Sequence, residues 1–267
     1  MMASASPLAR APAGVGGSDT APGTLAEPEV RAMFDRISGV YDRMNSVMTA
    51  GLHHHWRRRA ADLAAVGPGD RALDVATGTG DLAFELARRV APSGSVIGVD
   101  FSEGMLELAR RKAAEAQARP EAAVSPAPAE VEVRFEQANA LELPYRAGEF
   151  DAATVGFGAR NFSDLERGLS EMTRVVRPGG RVVVLEITTP TTPPLSTFLE
   201  LWFDQIVPAL GRLAGDPDAY SYLPSSVRRF PPPHALAAMM WASGLRSVSY
   251  RLTAGGIIAL HVGEVPA

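Results

Sequence analysis

The chain contains no cysteine, and that absence excludes thiolate nucleophiles, disulfides, zinc–thiolate centres and iron–sulfur clusters together. A cysteine-free chain suits a cytoplasmic setting. Lysine is almost missing as well. Lys112 stands alone among basic residues that are otherwise arginine, which leaves little room for Schiff-base chemistry. Positive charge is not in excess either: a net charge of −4 gives no broad basic field for nucleic acid phosphates. No run of about 18 or more apolar residues occurs, so nothing is expected to span a bilayer. Residues 1–28 are dominated by Ala, Pro, Gly and Ser. They lack the charged start and apolar run of a signal peptide and are too poor in core residues to fold, so a disordered tail is expected there. The remaining residues 29–267 suit one large α/β domain, since 46% of the chain is hydrophobic.

Two patterns organise that domain. From Glu29 to Ala65 the spacing is helical, with breaks predicted around Ser38 and near Thr49–Gly51. A strand–helix alternation follows, as in a parallel sheet covered on both faces. Strands are predicted at Arg71–Ala76, Ser95–Asp100, Val131–Gln137, Phe150–Gly156 and Arg181–Ile187, with helices at Asp81–Val90 and Gly104–Ala118. The Pro- and Ala-rich Arg119–Glu130 reads as an inserted loop. Leu195–Leu213 is expected as a helix whose apolar stripe comprises Leu195, Phe198, Leu199, Trp202, Ile206, Leu210 and Leu213. Two final strands, near Arg246–Thr253 and Ile257–Gly263, are too close in sequence to pair other than antiparallel. The expected fold is a doubly wound, mostly parallel, seven-stranded sheet ending in an antiparallel hairpin.

The stretch RALDVATGTGDLAFELA carries the most chemistry. It predicts a strand ending at Asp74–Ala76, a tight turn through Gly78 and Gly80, and a helix from Asp81. Glycines allow that turn and let a ligand approach the backbone. Asp100 closes the second strand at the same sheet edge, where a carboxylate accepts both hydroxyls of a ribose diol. The spacing also satisfies the loose dinucleotide fingerprint, so a nicotinamide cofactor stays open beside S-adenosylmethionine. Three features favour the latter: Asp74 just before the loop, Asn139 and Ala140 after strand three, and the Pro178-Gly179-Gly180 turn before strand five.

The segments FDRISGVYDRMNSVMTAGLHHHWRR, LDVATGTGDLA, EQANALELPY, FDAATVGFGARNF, RVVRPGGRVVVLE, YSYLPSSVRRFP and LTAGGIIALHVG together resemble the ubiquinone/menaquinone-biosynthesis C-methyltransferase family. GVYDRMN, FGARNF and LTAGGIIALH are the specific ones. The resemblance implies C-methylation of a polyprenylated quinol with S-adenosyl-L-methionine and no metal; the arginine-heavy, lysine-poor composition leans toward demethylmenaquinol, with a benzoquinol as the alternative. The resemblance also carries cofactor contacts onto Thr79, Asp100, Asn139 and Ala140. Gly156 departs from the pattern, because the family commonly has serine there.

A ring carbon of a quinol becomes nucleophilic when a neighbouring hydroxyl loses its proton, so the developing oxyanion needs stabilising. Arg160 and Asn161, just beyond strand four, are the candidates, with Tyr41 reaching over from the first helices. His53–His55 read as solvated helix residues, since adjacent histidines on a helix point apart. The apolar stripe of Leu195–Leu213 reads first as a core-facing helix and second as a prenyl-chain wall or a transient contact with the inner membrane surface. A non-catalytic, cofactor-binding scaffold remains the alternative of a different class.

Overall fold

The computed structural model describes residues 27–49, 51–118, 131–191, 193–207 and 217–267. The expected tail and the Arg119–Glu130 loop lie almost wholly outside them. Two helices, α1 (Glu27–Thr49) and α2 (Leu52–Ala64), precede the alternation. The sheet and its crossovers follow as β1 (Arg71–Val75), α3 (Asp81–Val90), β2 (Ser95–Asp100), α4 (Glu103–Ala118), β3 (Glu132–Gln137), β4 (Phe150–Gly156), α5 (Leu165–Val175) and β5 (Val176–Ile187). After α6 (Leu195–Leu201), α7 (Pro217–Arg229) and α8 (Pro233–Ala242), the hairpin β6 (Arg246–Thr253) and β7 (Ile258–Glu264) completes the sheet.

The strand order is β3-β2-β1-β4-β5-β7-β6. The first five strands run parallel and β7 is antiparallel to both β5 and β6, which is the expected architecture. Successive strand residues feed opposite cores. Ala72, Val183 and Leu185 face α2 and α3, whereas Leu73, Val182 and Val184 face α5 and α8. Burial on both faces explains the near-continuous apolar runs of β1 and β5. At Pro178-Gly179-Gly180 the assigned strand is irregular: Gly179 takes φ 77 and the regular ladder with β4 resumes at Arg181.

Two local expectations change. The break around Ser38 is not there, and α1 runs through it; the Ser38 hydroxyl donates back to the Asp35 carbonyl at 3.0 Å, which lets a poor helix former sit inside a helix. The break at Gly51 is real, with φ 74. The apolar stripe of the predicted Leu195–Leu213 helix does not keep to one face either. A π turn (Trp202–Ile206) follows α6 and rotates the side chains after it. Leu199, Phe203 and Val207 enter a third core with Val30 and Met33 of α1, while Phe198 is 51% exposed. Leu210 and Leu213 lie outside the described residues.

These opposite faces give a direct test. Phe203→Ala should lower the free energy of unfolding by about 3–5 kcal/mol, the usual range for emptying a buried aromatic site. Phe198→Ser should change it by no more than about 0.5 kcal/mol. Urea unfolding of the two variants reads both values, and equal losses would show that the helix is turned otherwise.

Candidate active site

The carboxyl ends of β1, β2 and β4 open into one cavity, at the edge where open α/β sheets take ligands. Its floor is the β1–α3 loop. Ala76, Gly78 and Gly80 all take positive φ, at 51, 56 and 86. At Gly80 no other residue fits, because a Cβ there would lie 2.8 Å from the Phe135 ring. Gly78 N–H donates to Asp100 Oδ2 at 2.8 Å, and Ser102 N–H donates to Asp100 Oδ1 at 3.0 Å. Asp100 therefore ties the loop to the end of β2. Beneath the loop, Asp74 accepts hydrogen bonds from the Thr77 and Thr154 hydroxyls at 2.6 and 2.7 Å.

Both carboxyls are buried, and burial is the main reason that each is pushed up to about 6. Their bonds to hydroxyls and backbone amides act the other way without winning. Asp81, at the start of α3, behaves differently. Burial opposes its ionisation too, but Arg57 and Lys112 outweigh that and hold it at about 2. Lys112 Nζ donates to Asp81 Oδ1 at 2.8 Å and to Thr79 Oγ1 at 2.9 Å, so the single lysine braces the loop from α4.

On the β4 side, Phe157 takes φ 62 and Gly158 packs so close to Ala76 that a Cβ there would lie 2.5 Å from the alanine's. A single 3-10 turn (Ala159–Asn161) follows. Arg160 Nη1 donates to Glu186 Oε1 at 2.7 Å and to the Phe157 carbonyl at 2.5 Å, and both charged side chains are buried. Next to them Asn161 faces the cavity, and its Oδ1 accepts a hydrogen bond from the Tyr222 hydroxyl of α7 at 3.1 Å.

The structure thus brings Asp74, Gly78, Thr79, Asp100, Asn139, Ala140 and Asn161 to one cavity wall. Gly80 shapes the turn beneath it. Arg160 is not on that wall: its guanidinium is locked into the ion pair with Glu186 behind it. Tyr41 lies on α1, and its side chain falls outside the described residues. His53 corrects the expectation of a solvated histidine run, being 2% exposed. Its Nδ1 accepts from Arg57, which leaves Nε2–H to donate to Ser46 Oγ at 3.2 Å. Ligand atoms of His53, His54 and Asp81 lie within 4.8 Å of one another, but Arg57 and Lys112 already occupy that ground.

Sequence reasoning missed Asp35, Arg57, Glu186 and Tyr222. Asp35 Oδ1 accepts from Gly104 N–H at 3.2 Å and from the Ser102 hydroxyl at 2.5 Å, docking α1 over the cavity where Phe34 meets Phe101. Glu186 and Tyr222 stand inside the quoted motifs VVVLE and YSYLPSS. Partners so distant in sequence left no local signal beyond that.

A family model described as the ubiE/COQ5 methyltransferase family matches residues 23–265. The chain is 47% identical to a demethylmenaquinone methyltransferase of Thermus thermophilus, over 88% of this chain and all of that one. It is 39% identical to a ubiquinone/menaquinone biosynthesis C-methyltransferase UbiE of Geobacter sulfurreducens, over 88% of each. Among solved structures, the [4+2]-cyclase SpnF superposes with a TM-score of 0.64 at 17% identity, covering 91% of this chain and 98% of that one. A Haemonchus contortus phosphoethanolamine N-methyltransferase in complex with S-adenosyl-L-methionine superposes with a TM-score of 0.54 at 14% identity, covering 76% and 50%. A cyclase among the neighbours shows that this fold alone does not fix a reaction.

The buried carboxylates predict a pH signature. A carboxyl raised from 3.8 to about 6 binds more protons when folded than when unfolded, so unfolding free energy falls as pH rises from about 4 through 6. Two units correspond to about 3 kcal/mol. Asp74→Asn keeps partners for both threonine hydroxyls and removes the charge. It should make the ligand-free protein more stable than the parent at pH 7, with the gap closing toward pH 4. Urea midpoints across that range measure it, and a pH-independent gap would contradict the burial argument.

Proposed function

The chain belongs to the ubiE/COQ5 methyltransferase family, and on that premise we propose that it methylates a ring carbon of a polyprenyl quinol, demethylmenaquinol being the acceptor. Supporting this is a cavity that offers ribose-type and adenine-type contacts at one end and the half-buried Asn161 amide at the other. The curated relatives of high identity carry the matching names. A nicotinamide cofactor has no such support; a non-catalytic, cofactor-binding scaffold would keep the same Asp100 and loop glycines, and methyl transfer by the purified protein separates it from an enzyme.

Bound S-adenosylmethionine would supply an electrophilic methyl on a sulfonium centre. The residues present fit that group. Asp100 keeps acceptor capacity beyond its bonds from Gly78 and Ser102, enough for a ribose diol. Asn139 and Ala140 border the adenine end, with the Asn139 amide oxygen steadied by Leu141 N–H at 2.9 Å. Thr79 and the glycine loop border the methionine end. At Gly156, where the family resemblance leads one to expect serine, a Cβ would lie 3.0 Å from the end of Leu82 and 3.9 Å from the end of Leu185, so Leu82 would have to give way slightly.

At the acceptor end, the Tyr222 hydroxyl occupies the oxygen of Asn161 and so turns its NH2 toward the cavity. That NH2 is a neutral donor placed for the oxygen of a quinolate, whose charge grows as the ring carbon attacks. Arg160 acts from behind this wall. Its charge is balanced by Glu186, so its part is positional: the side chain holds the Phe157–Asn161 turn that presents Asn161. Positioning of the two reactants supplies much of the remaining rate, roughly 7–11 kcal/mol in well-aligned systems.

The deciding experiment is methyl transfer by the purified protein from S-adenosylmethionine to short-chain demethylmenaquinol, with a demethyl benzoquinol alongside. In the same assay Asn161→Asp should lower turnover by about 100-fold, because an acceptor then faces a developing anion. Affinity for S-adenosylhomocysteine should stay within a factor of about two. Normal turnover in that variant would remove Asn161 from the mechanism.

Access to a lipid substrate follows from the fold. No described helix is long and apolar enough to cross a membrane, so the prenyl chain has to be met at a surface. Phe198 and Leu201 are exposed on α6, with the Phe198 ring 6.0 Å from that of Trp202. We assign the bilayer contact to this patch. Phe198→Ser should lower kcat/KM for a long-prenyl quinol in vesicles while sparing a short-chain analogue. Equal activity on both would locate lipid entry elsewhere.

A further inference from the structure

We propose that Arg57 is the residue that binds the carboxylate of the cofactor's methionine moiety; this rests on the S-adenosylmethionine reading above. Arg57 lies on α2, which packs over α3 and the ends of β4 and β5. Across the sheet the strands run β3, β2, β1, β4, and the cavity residues follow that order. Asn139 and Ala140 stand at β3, Asp100 at β2, and the glycine loop at β1. The amino-acid end of the cofactor therefore falls on the β1–β4 side, beneath α2.

That end brings an α-carboxylate, and the loop has little left to offer it. Gly78 N–H is committed to Asp100, and Gly80 N–H to the Thr77 carbonyl at 3.0 Å. Among the described residues lining the cavity, Arg57 is the one cation. It is 7% exposed, and its guanidinium stands 5.4 Å from the centre of the Phe157 ring, which also lines the cavity.

An arginine buried here for fold stability alone would be expected to be spent on an acid. Asp81 is the nearest acid, 3.6 Å from Arg57 Nη1, and Arg57 helps to keep it ionised; its short bond, however, comes from Lys112 at 2.8 Å, and the pair engages only the Nη1 end of the guanidinium. The close bond that Arg57 makes is also through Nη1, to His53 Nδ1, which orients the guanidinium and leaves its Nη2 and Nε edge for a second partner. Planar, permanently charged and pinned at one nitrogen, Arg57 retains donors for a carboxylate.

Calorimetry with two cofactors isolates the claim without relying on turnover. Arg57→Met should weaken S-adenosylmethionine by about 10- to 100-fold, the scale of a charged hydrogen bond. Decarboxylated S-adenosylmethionine should bind parent and variant alike, within about two-fold. Arg57→Lys should recover much of the lost affinity. Equal weakening of both cofactors would overturn the proposal, since it would show that Arg57 merely holds α2 in place, and so would unchanged affinity for S-adenosylmethionine. If the parent protein binds neither cofactor, the S-adenosylmethionine reading falls first and this assignment with it.

Discussion

Much of the site hangs on the Asp100 carboxylate. Its two oxygens accept one backbone amide from the β1–α3 loop and one from the start of α4, so a single side chain sets the distance between two crossover connections. Asp35 then docks α1 onto the same α4 terminus through Ser102 and Gly104, placing a roof over the floor that Asp100 has fixed. A charged group in so dry a place is unfavourable by itself, which is why burial lifts its pKa so far. The sheet bears that cost in exchange for a rigid pocket, as proteins commonly do at functional sites.

The acceptor side is assembled on a similar plan with opposite charges. Glu186 at the end of β5 holds Arg160, Arg160 holds the Phe157 carbonyl, and the turn presents Asn161 to the cavity. Removing either member of such a buried pair strands the other, so the arginine and the glutamate are a structural unit first. Tyr222 reaches in from α7, beyond the hairpin of strand and helix that makes the nucleotide half, and sets which end of the amide faces inward. The backbone of the cofactor half is made of short loops after β1, β2 and β3, although distant side chains brace it, whereas the acceptor half takes a side chain from α7 against its own wall.

That difference decides how much was legible in the amino-acid order. The alternation, the glycine turn, Asp100 at a strand end and the closing hairpin are local patterns of period or spacing, and the structure reproduces them. Glu186 and Tyr222 are partners across long separations that no periodicity announces, and Arg57, though bonded to His53 one turn away, enters the cavity only because α2 packs over α3. The histidine run misled for a related reason: polarity suggested solvent at His53, but α2 turns it inward where Ser46 and Arg57 satisfy both ring nitrogens. In the Leu195–Leu213 segment one continuous apolar stripe was assumed, whereas Leu199, Phe203 and Val207 turn inward and Phe198 is left outside.

The position of β7 carries a consequence for how the chain is made. It lies between β5 and β6 and is hydrogen-bonded to both, yet it follows every other described element in the chain. During synthesis, β5 therefore emerges with one edge open, and β6 emerges with no neighbour to pair with. Both wait for the same strand. An apolar open edge is the kind of surface on which nascent chains associate wrongly. The strands of the nucleotide half, β1 to β4, are all made before β7, so the cofactor floor does not depend on the closing strand.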